Sequence, residues 1–234
     1  KRQTHYFFII EAADGLGNTG MVDNGGACFE FTTNEPADLY VPADYITIQE
    51  AVDHAWPSTT VWVTDGVYTG YGNRDIDFRG KFITLKSENG PQYCIIDCNA
   101  TDSDRHRGFV FQSGEDHNAV LDGFTVTNGY EGQGGAVYCI GAGPKITNCI
   151  FSANRARSIG GAIACGTASE LLVEDCLFTD NTATSAGAGA AVTDANLTLE
   201  NCTFERQRAA VGAAIYSDNS VLQAYACAFR NNSC

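Results

Sequence analysis

Six arginines fall in pairs two residues apart, Arg105 with Arg107, Arg155 with Arg157 and Arg206 with Arg208, and Asp75 with Asp77 and Asp102 with Asp104 share that spacing. Guanidinium groups engage carboxylates bidentately, so the arginines can line a groove for an acidic polysaccharide. The plainer alternative is a solvated edge of charge that guards against aggregation. Aspartates two apart on a strand face the same way, so each pair can meet a calcium ion, although most such pairs are merely solvated and nothing in the chain requires a cofactor. His5, His54, His106 and His117 lack metal-ligand spacing, and no nucleophile elbow, HExxH motif or phosphate-cradling Walker loop is present. Gly15-Leu16-Gly17-Asn18-Thr19-Gly20 fits the dinucleotide fingerprint. That fingerprint works only where a helix starts at the glycines, and Met-Val-Asp-Asn-Gly-Gly follows here, so the segment reads as a turn. No catalytic set is visible.

The elements that must carry these residues are bounded first by composition. The chain has 14 Lys and Arg against 28 Asp and Glu, a net charge of −14, which argues against nucleic acid and against an anionic membrane surface as partners. The longest apolar run, Tyr6 to Ile10, is far below the roughly 20 residues that cross a bilayer, so no membrane insertion is expected. The chain opens on Lys1 with no signal-peptide pattern and reads as a processed product or an excerpt. At 234 residues it holds one large domain or a large and a small one. Ten cysteines without zinc-type spacing favour an oxidising compartment, and 25 glycines with 18% charged residues favour an all-β fold over helical bundles.

A repeat of about 26 residues organises the second half. It runs KITNCIFSAN, LVEDCLFTDN, TLENCTFERQ and QAYACAFRNN, with Cys149, Cys176, Cys202 and Cys227 spaced 27, 26 and 25 residues apart. Aligned one repeat earlier, LDGFTVTN places Phe124 with Phe151, Phe178, Phe204 and Phe229, Gly123 in the cysteine column, and Asn128 with Asn154, Asn181, Gln207 and Asn232. A second segment keeps the beat from Gly108, Gly134, Gly160, Gly189 and Gly212. The spacing resembles a leucine-rich repeat, but the return segment Gly-Gly-Ala-Val-Tyr-Cys alternates with period 2 and carries glycines that weaken helices. Three short strands per turn, at Val137 to Cys139, near Ile146, and at Cys149 to Phe151, describe a parallel β-helix. Coils stacked about 4.8 Å apart put like on like, so phenylalanines stack and corner asparagines form ladders. After Pro144 no proline occurs for 90 residues, as strands bonded on both edges demand.

A helix of about 47–56 covers the first coil: Thr47 with Glu50 forms a capping box, Ile48, Ala51, Val52 and Ala55 share a face, and Pro57 stops it. Coils begin at VWVTDGVY, and the regular array spans about 108–234. Residues 1–36 form a separate segment, with strands at Tyr6 to Ala12 and Cys28 to Thr32 and a linker at Asn34-Glu35-Pro36. They are the end of a partial immunoglobulin-like sandwich or a strand pair that completes itself on another chain. The domain expected at 37–234 ends in mid-coil at Asn-Asn-Ser-Cys, where further chain or another subunit can stack.

The stretch YVPADYITIQEAVDHAWPSTTVWVTDGVYTG, then GNRDIDFRGKFITLKSENGPQYCIIDC, LDGFTVTNG and the NCxF repeats, resembles the right-handed parallel β-helix repeat proteins of bacterial secreted multidomain chains, in the pectate-lyase-like superfamily. The resemblance covers residues 40–234. FFIIEAADGLGNTGMVDNGGACFEFTT is similar to the closing strands of fibronectin type III or immunoglobulin-like domains. The resemblance implies export and an extracellular or cell-surface location. It also implies, for enzymes of the superfamily, either a basic residue acting with carboxylate-held calcium or clustered aspartates, and neither set can be placed on this sequence. The cysteines stay open to three readings: intercoil disulfides such as Cys139 with Cys165, a reduced inward ladder, or zinc. Sequons stand at Asn99, Asn196, Asn201 and Asn231. The favoured function is a non-catalytic structural or adhesive β-helix that self-associates by coil-end stacking or strand donation. The alternatives are a polysaccharide lyase or hydrolase and a module binding acidic glycans.

Overall fold

The computed structural model describes residues 4–8, 10–13, 19–22, 28–33 and 37–234. It divides into two units, Lys1–Ala37 and Asp38–Cys234. In the first, Thr4–Phe8 pairs antiparallel with Phe29–Thr33, and Ile10–Ala13 with Thr19–Val22. The single strand expected at Tyr6 to Ala12 is thus two strands with different partners. Most of the glycine turn at Gly15 to Gly20 and the Asn34-Glu35-Pro36 linker lie outside the described residues.

The second unit is a parallel β-helix of about seven coils. Each coil contributes to an eight-stranded sheet running from Leu39–Val41 to Val221–Tyr225, a seven-stranded sheet from Gly66–Thr69 to Ala228–Arg230, and a six-stranded sheet from Ile76–Asp77 to Ile215–Asp218. All strand pairs within these three sheets are parallel and in register, for example Ile150↔Leu177, Phe151↔Phe178 and Ser152↔Thr179. Alternate residues point inward, as in the buried–intermediate–buried pattern of Phe109–Phe111. Among the described residues no helix is long and apolar enough to cross a membrane.

The helix over the first coil runs Ile48–His54 with Thr47 as its N-cap, whose Oγ1 accepts the Glu50 N–H at 3.3 Å. Ile48, Ala51, Val52 and Ala55 are buried against the core. Its C-terminus is held by Lys81, whose Nζ donates to the carbonyls of Val52, Asp53 and Ala55 at 2.9, 2.6 and 3.0 Å. An ammonium there meets carbonyls that have no partner within the helix.

The inward columns refine the sequence alignment. Phe151, Phe178, Phe204 and Phe229 stack ring on ring, with centroids 5.1, 4.3 and 5.3 Å apart. Phe124 does not belong to that column: Val126 lies beneath Phe151, and Phe124 falls in the cysteine column, donating its N–H to Cys149 Sγ. Asn128 likewise falls outside the asparagine ladder. It occupies an exposed corner with φ +56 and binds Asp97, while Gly129 donates its N–H to Asn154 Oδ1. The glycine column is Gly134, Gly160, Gly187 and Gly212, all at positive φ; a Cβ at Gly187 would sit 2.4 Å from the Ala190 carbonyl oxygen. Gly189 and Gly108 are therefore two residues out of step, since Ala190 pairs with Ile163 and Phe109 with Val137. A slip of two residues returns every side chain to the same face, so alternation alone does not detect it.

Within the ladder, Asn154 and Asn181 are fully buried, and Asn181 Oδ1 accepts the Asn154 N–H at 2.9 Å while its Nδ2 donates to the Phe151 carbonyl. Asn232 repeats this on Gln207 and Phe204. Gln207 breaks the pattern: its Nε2 turns back to its own coil at Glu205, and its Oε1 is buried without a partner. Substituting Gln207→Asn should restore the rung and raise stability by about 1 kcal/mol, read as a shift in the urea midpoint.

Candidate functional site

The cysteines belong to the scaffold of the site and are free thiols. Cys149 and Cys176 occupy the corner between the eight-stranded and seven-stranded sheets, where the preceding residue, Asn148 or Asp175, has φ of +53 or +51. Each sulfur does more than fill space. Cys176 Sγ accepts the Cys149 N–H at 3.4 Å and donates to the Glu174 carbonyl at 3.1 Å, and Cys149 does the same with Phe124 and Thr147 at 3.5 and 3.2 Å. Cys202 and Cys227 donate equivalently to Glu200 and Tyr225. A disulfide sulfur has no proton to donate, so oxidising this column would remove those bonds. Burial pushes the Cys94 thiol up to about 12 and raises Cys98 and Cys176 as well. Among the described residues no group of three His, Cys, Asp or Glu side chains is placed to hold a metal ion.

The structure draws Arg107, Asp75, Asp77 and Asp104 into one charged patch, with Asp102 on the same loop and Arg105 exposed. It lies where the seven-stranded sheet hands over to the six-stranded one, on the long loop between Cys94–Asp97 and Phe109–Phe111. His106 is the hub: Nδ1 lies 2.5 Å from Asp75 Oδ2 and Nε2 lies 2.9 Å from Asp104 Oδ1. Each ring nitrogen thus has a carboxylate oxygen within hydrogen-bond distance. Arg74 donates to the Cys98 carbonyl at 2.9 Å and to Asp104 at 3.3 Å. Hydrogen bonding to His106 holds the Asp104 carboxyl below the usual carboxylate range. A cavity of about 240 Å³ opens beside these groups, lined by Tyr71, Arg74, Asp75, Asp77 and His106 among others.

Asp75 and Asp77 do not alternate on one regular strand. Asp75 precedes the strand at φ +54 and accepts the Arg107 N–H, while Asp77 accepts from Arg79 N and Gln112 Nε2. Asp102 is exposed, 3.9 Å from Arg155. Both aspartate pairs thus already face hydrogen-bond donors or cations.

The six arginines do not form one column. Arg107 stacks 4.9 Å above Tyr138, its Nη2 3.6 Å from Glu131, with Nη1 buried and unpartnered; burial lowers its pKa, opposed by Glu131 and Asp75. Arg155 stacks 4.4 Å over Tyr130. Arg155 and Arg208 share a column with Thr182 between them, whereas Arg206 sits at a positive-φ corner and clasps Asp180 through Nε and Nη2 at 2.9 Å each. Arg105 and Arg157 are exposed. The two tyrosine platforms and His106 were missed by sequence reading, because the partners stand 25 to 31 residues apart and only the coil register joins them.

Stacked parallel coils, three sheets and a capped first coil define a parallel β-helix protein. The chain matches the family described as right handed beta helix region over residues 66–234, and it belongs to that family. Searches of curated proteins and of solved structures found no significant match.

Two outcomes follow. Iodoacetamide at neutral pH should modify the exposed Cys28 and Cys234 in the native protein and leave Cys149, Cys176 and Cys202 unmodified until urea unfolds it; rapid native labelling of Cys176 by peptide mass mapping would contradict the buried column. Because the folded Asp104 carboxyl is held low, its contribution is fully present above the ordinary carboxylate range and is lost as pH falls through the folded value. Asp104→Asn should therefore lower the melting temperature at neutral pH, with the difference closing in acid.

Proposed function

We propose that the protein is a non-catalytic β-helix acting as a structural or adhesive element outside the cell or at its surface. The observation that carries this reading is the state of the charged patch. His106 has both ring nitrogens on carboxylates, and Arg74, Arg155 and Arg206 face Asp104, Asp102 and Asp180. These groups serve joints between coils, whereas a general base needs an unoccupied lone pair within reach of a substrate proton. The extracellular location rests on the resemblance to secreted multidomain chains of the pectate-lyase-like superfamily with an immunoglobulin-like segment ahead. The cysteine count adds little to it, since the inward thiols serve the core.

Self-association is part of the proposal, with a geometric limit. The helix closes one end of the solenoid, so coils cannot stack head to tail without end. Strand donation by the first unit is the other route to self-association.

A second reading is favoured by the Arg155–Tyr130 and Arg107–Tyr138 stacks: an aromatic face beside a guanidinium suits an acidic glycan. One assay separates the readings. Polyuronate incubated with the protein, with and without calcium, should give no rise in ultraviolet absorbance from unsaturated product, and Arg155→Ala should leave the fold intact. Product formation would overturn the non-catalytic reading, and glycan-array binding lost in Arg155→Ala would favour the second.

A further inference from the structure

The third corner of the coils, where the six-stranded sheet hands over to the eight-stranded one, carries no predicted site. Yet four hollows of about 510, 330, 260 and 620 Å³ follow one another there. They are continuous: the first two share Asp116, His117 and Asn118, the second and third share His117 and Glu170, and the last two share Glu170, Asn196 and Val221. The groove runs past six strands of the eight-stranded sheet, from Thr84–Ser87 to Val221–Tyr225. At about 4.8 Å per coil that is roughly 24 Å, the length of about seven residues of extended chain.

Its chemistry has two parts. Apolar side chains line it, with Phe82 and Val221 exposed by 39% and 55% alongside Val120 and Leu172. Its carboxylates are Asp116, Glu170 and Asp194, all exposed, and among the described residues none has a cationic partner within ion-pair distance. Elsewhere on the same sheet two acids are neutralised, Asp122 by Lys86 at 2.8 Å and Glu174 by Lys145 at 2.6 Å. His117 is the one basic side chain lining these hollows, and its Nε2 lies 2.9 Å from the Glu170 carbonyl oxygen. The buried Glu115 faces inward, accepting N–H bonds from Gly80 and Ser113, and so fixes the loop that forms the wall.

We infer that this groove is a docking surface for an extended basic peptide segment about seven residues long, with apolar side chains against Phe82, Val120 and Leu172 and lysines or arginines on Asp116, Glu170 and Asp194. Charge complementarity fixes the sign of the partner, and the straight run along the coil axis fixes its extended shape. The inference is independent of the proposed function.

The probe is fluorescein-labelled Lys-Val-Lys-Val-Lys-Val-Lys, followed by anisotropy against the whole chain at low and physiological salt. Saturable binding is expected, weakened by salt and absent for the Glu-Val counterpart. The pair Glu170→Lys and Asp194→Lys should weaken it about tenfold or more, while Glu88→Lys with Glu200→Lys, the same change of net charge away from the groove, should not. Thermal melts establish that both variants fold. Equal loss in the two variants would reduce the effect to general attraction to a chain of charge −14 and overturn the inference. Non-saturable binding, or equal binding of the acidic peptide, would overturn it too, and competition by spermine alone at equal charge would assign the site to small polycations instead.

Discussion

Every coil must sit on the next at about 4.8 Å in register, so each side chain has near copies of itself above and below. That constraint selects what a column can hold. Flat rings tolerate a copy, and the Phe178 and Phe204 rings lie nearly parallel, at 6°. Amides tolerate one because each carries donor and acceptor, which Asn154 and Asn181 use in turn. Thiols tolerate one because a sulfur can accept one N–H and donate its own proton, as Cys149 and Cys176 do. Stacked like charges carry a cost: at this spacing two unit charges repel by about 1 kcal/mol even in water, and Glu174, which lies in register with Glu200, is offset by Lys145. Outside the barrel the chain therefore pairs aspartates with asparagines across coils, Asp175 with Asn201, Asp194 with Asn219, Asp122 with Asn148 and Asp97 with Asn128.

The same constraint explains what the sequence made legible. A repeat that stacks on itself writes its period into the chain, so the solenoid, its three strands per turn and the phenylalanine stack from Phe151 onward are readable from spacing. The first coils are less so, because Val126 and Ile96 stand where later coils carry phenylalanine, and nothing local marks Phe124 as belonging to the cysteine column. Alternation is blind to a two-residue slip, and only backbone conformation, the positive φ of Gly187, fixes the register. The cysteines were legible as an inward ladder among other readings, but their hydrogen bonds were not. Those bonds run to main-chain groups, which leave no trace in residue identity.

Site residues were legible as types and not as partners. Asp75, Asp104 and Arg107 stand out by pairing two apart, but the feature that joins them is His106, whose ring reaches Asp75 across 31 positions. Spacing of two also misled: Asp75 and Arg206 both lie at positive-φ corners, where the alternation of a strand no longer applies. A short-range pattern at a corner is thus weaker evidence of shared direction than the same pattern inside a strand.

The three corners consequently differ in kind. Between the eight-stranded and seven-stranded sheets a single left-handed residue makes the bend, with Asn148, Asp175 or Asn201 outside and a cysteine inside. Between the seven-stranded and six-stranded sheets the loops are longer, and Arg155, Arg206 and His106 reach carboxylates of neighbouring coils, which ties the loops down. Between the six-stranded and eight-stranded sheets the turns are made by small residues, Gly141 to Gly143 and Ala168 to Ser169, and among the described residues no lysine or arginine is placed to neutralise Glu170 or Asp194. At this corner the fold uses its carboxylates only as acceptors for neutral donors, Asp194 for Asn219 and Asp116 for Asn118, and their charge stays unbalanced. Recognition of a charged partner then falls to the corner where the described residues supply no counter-charge.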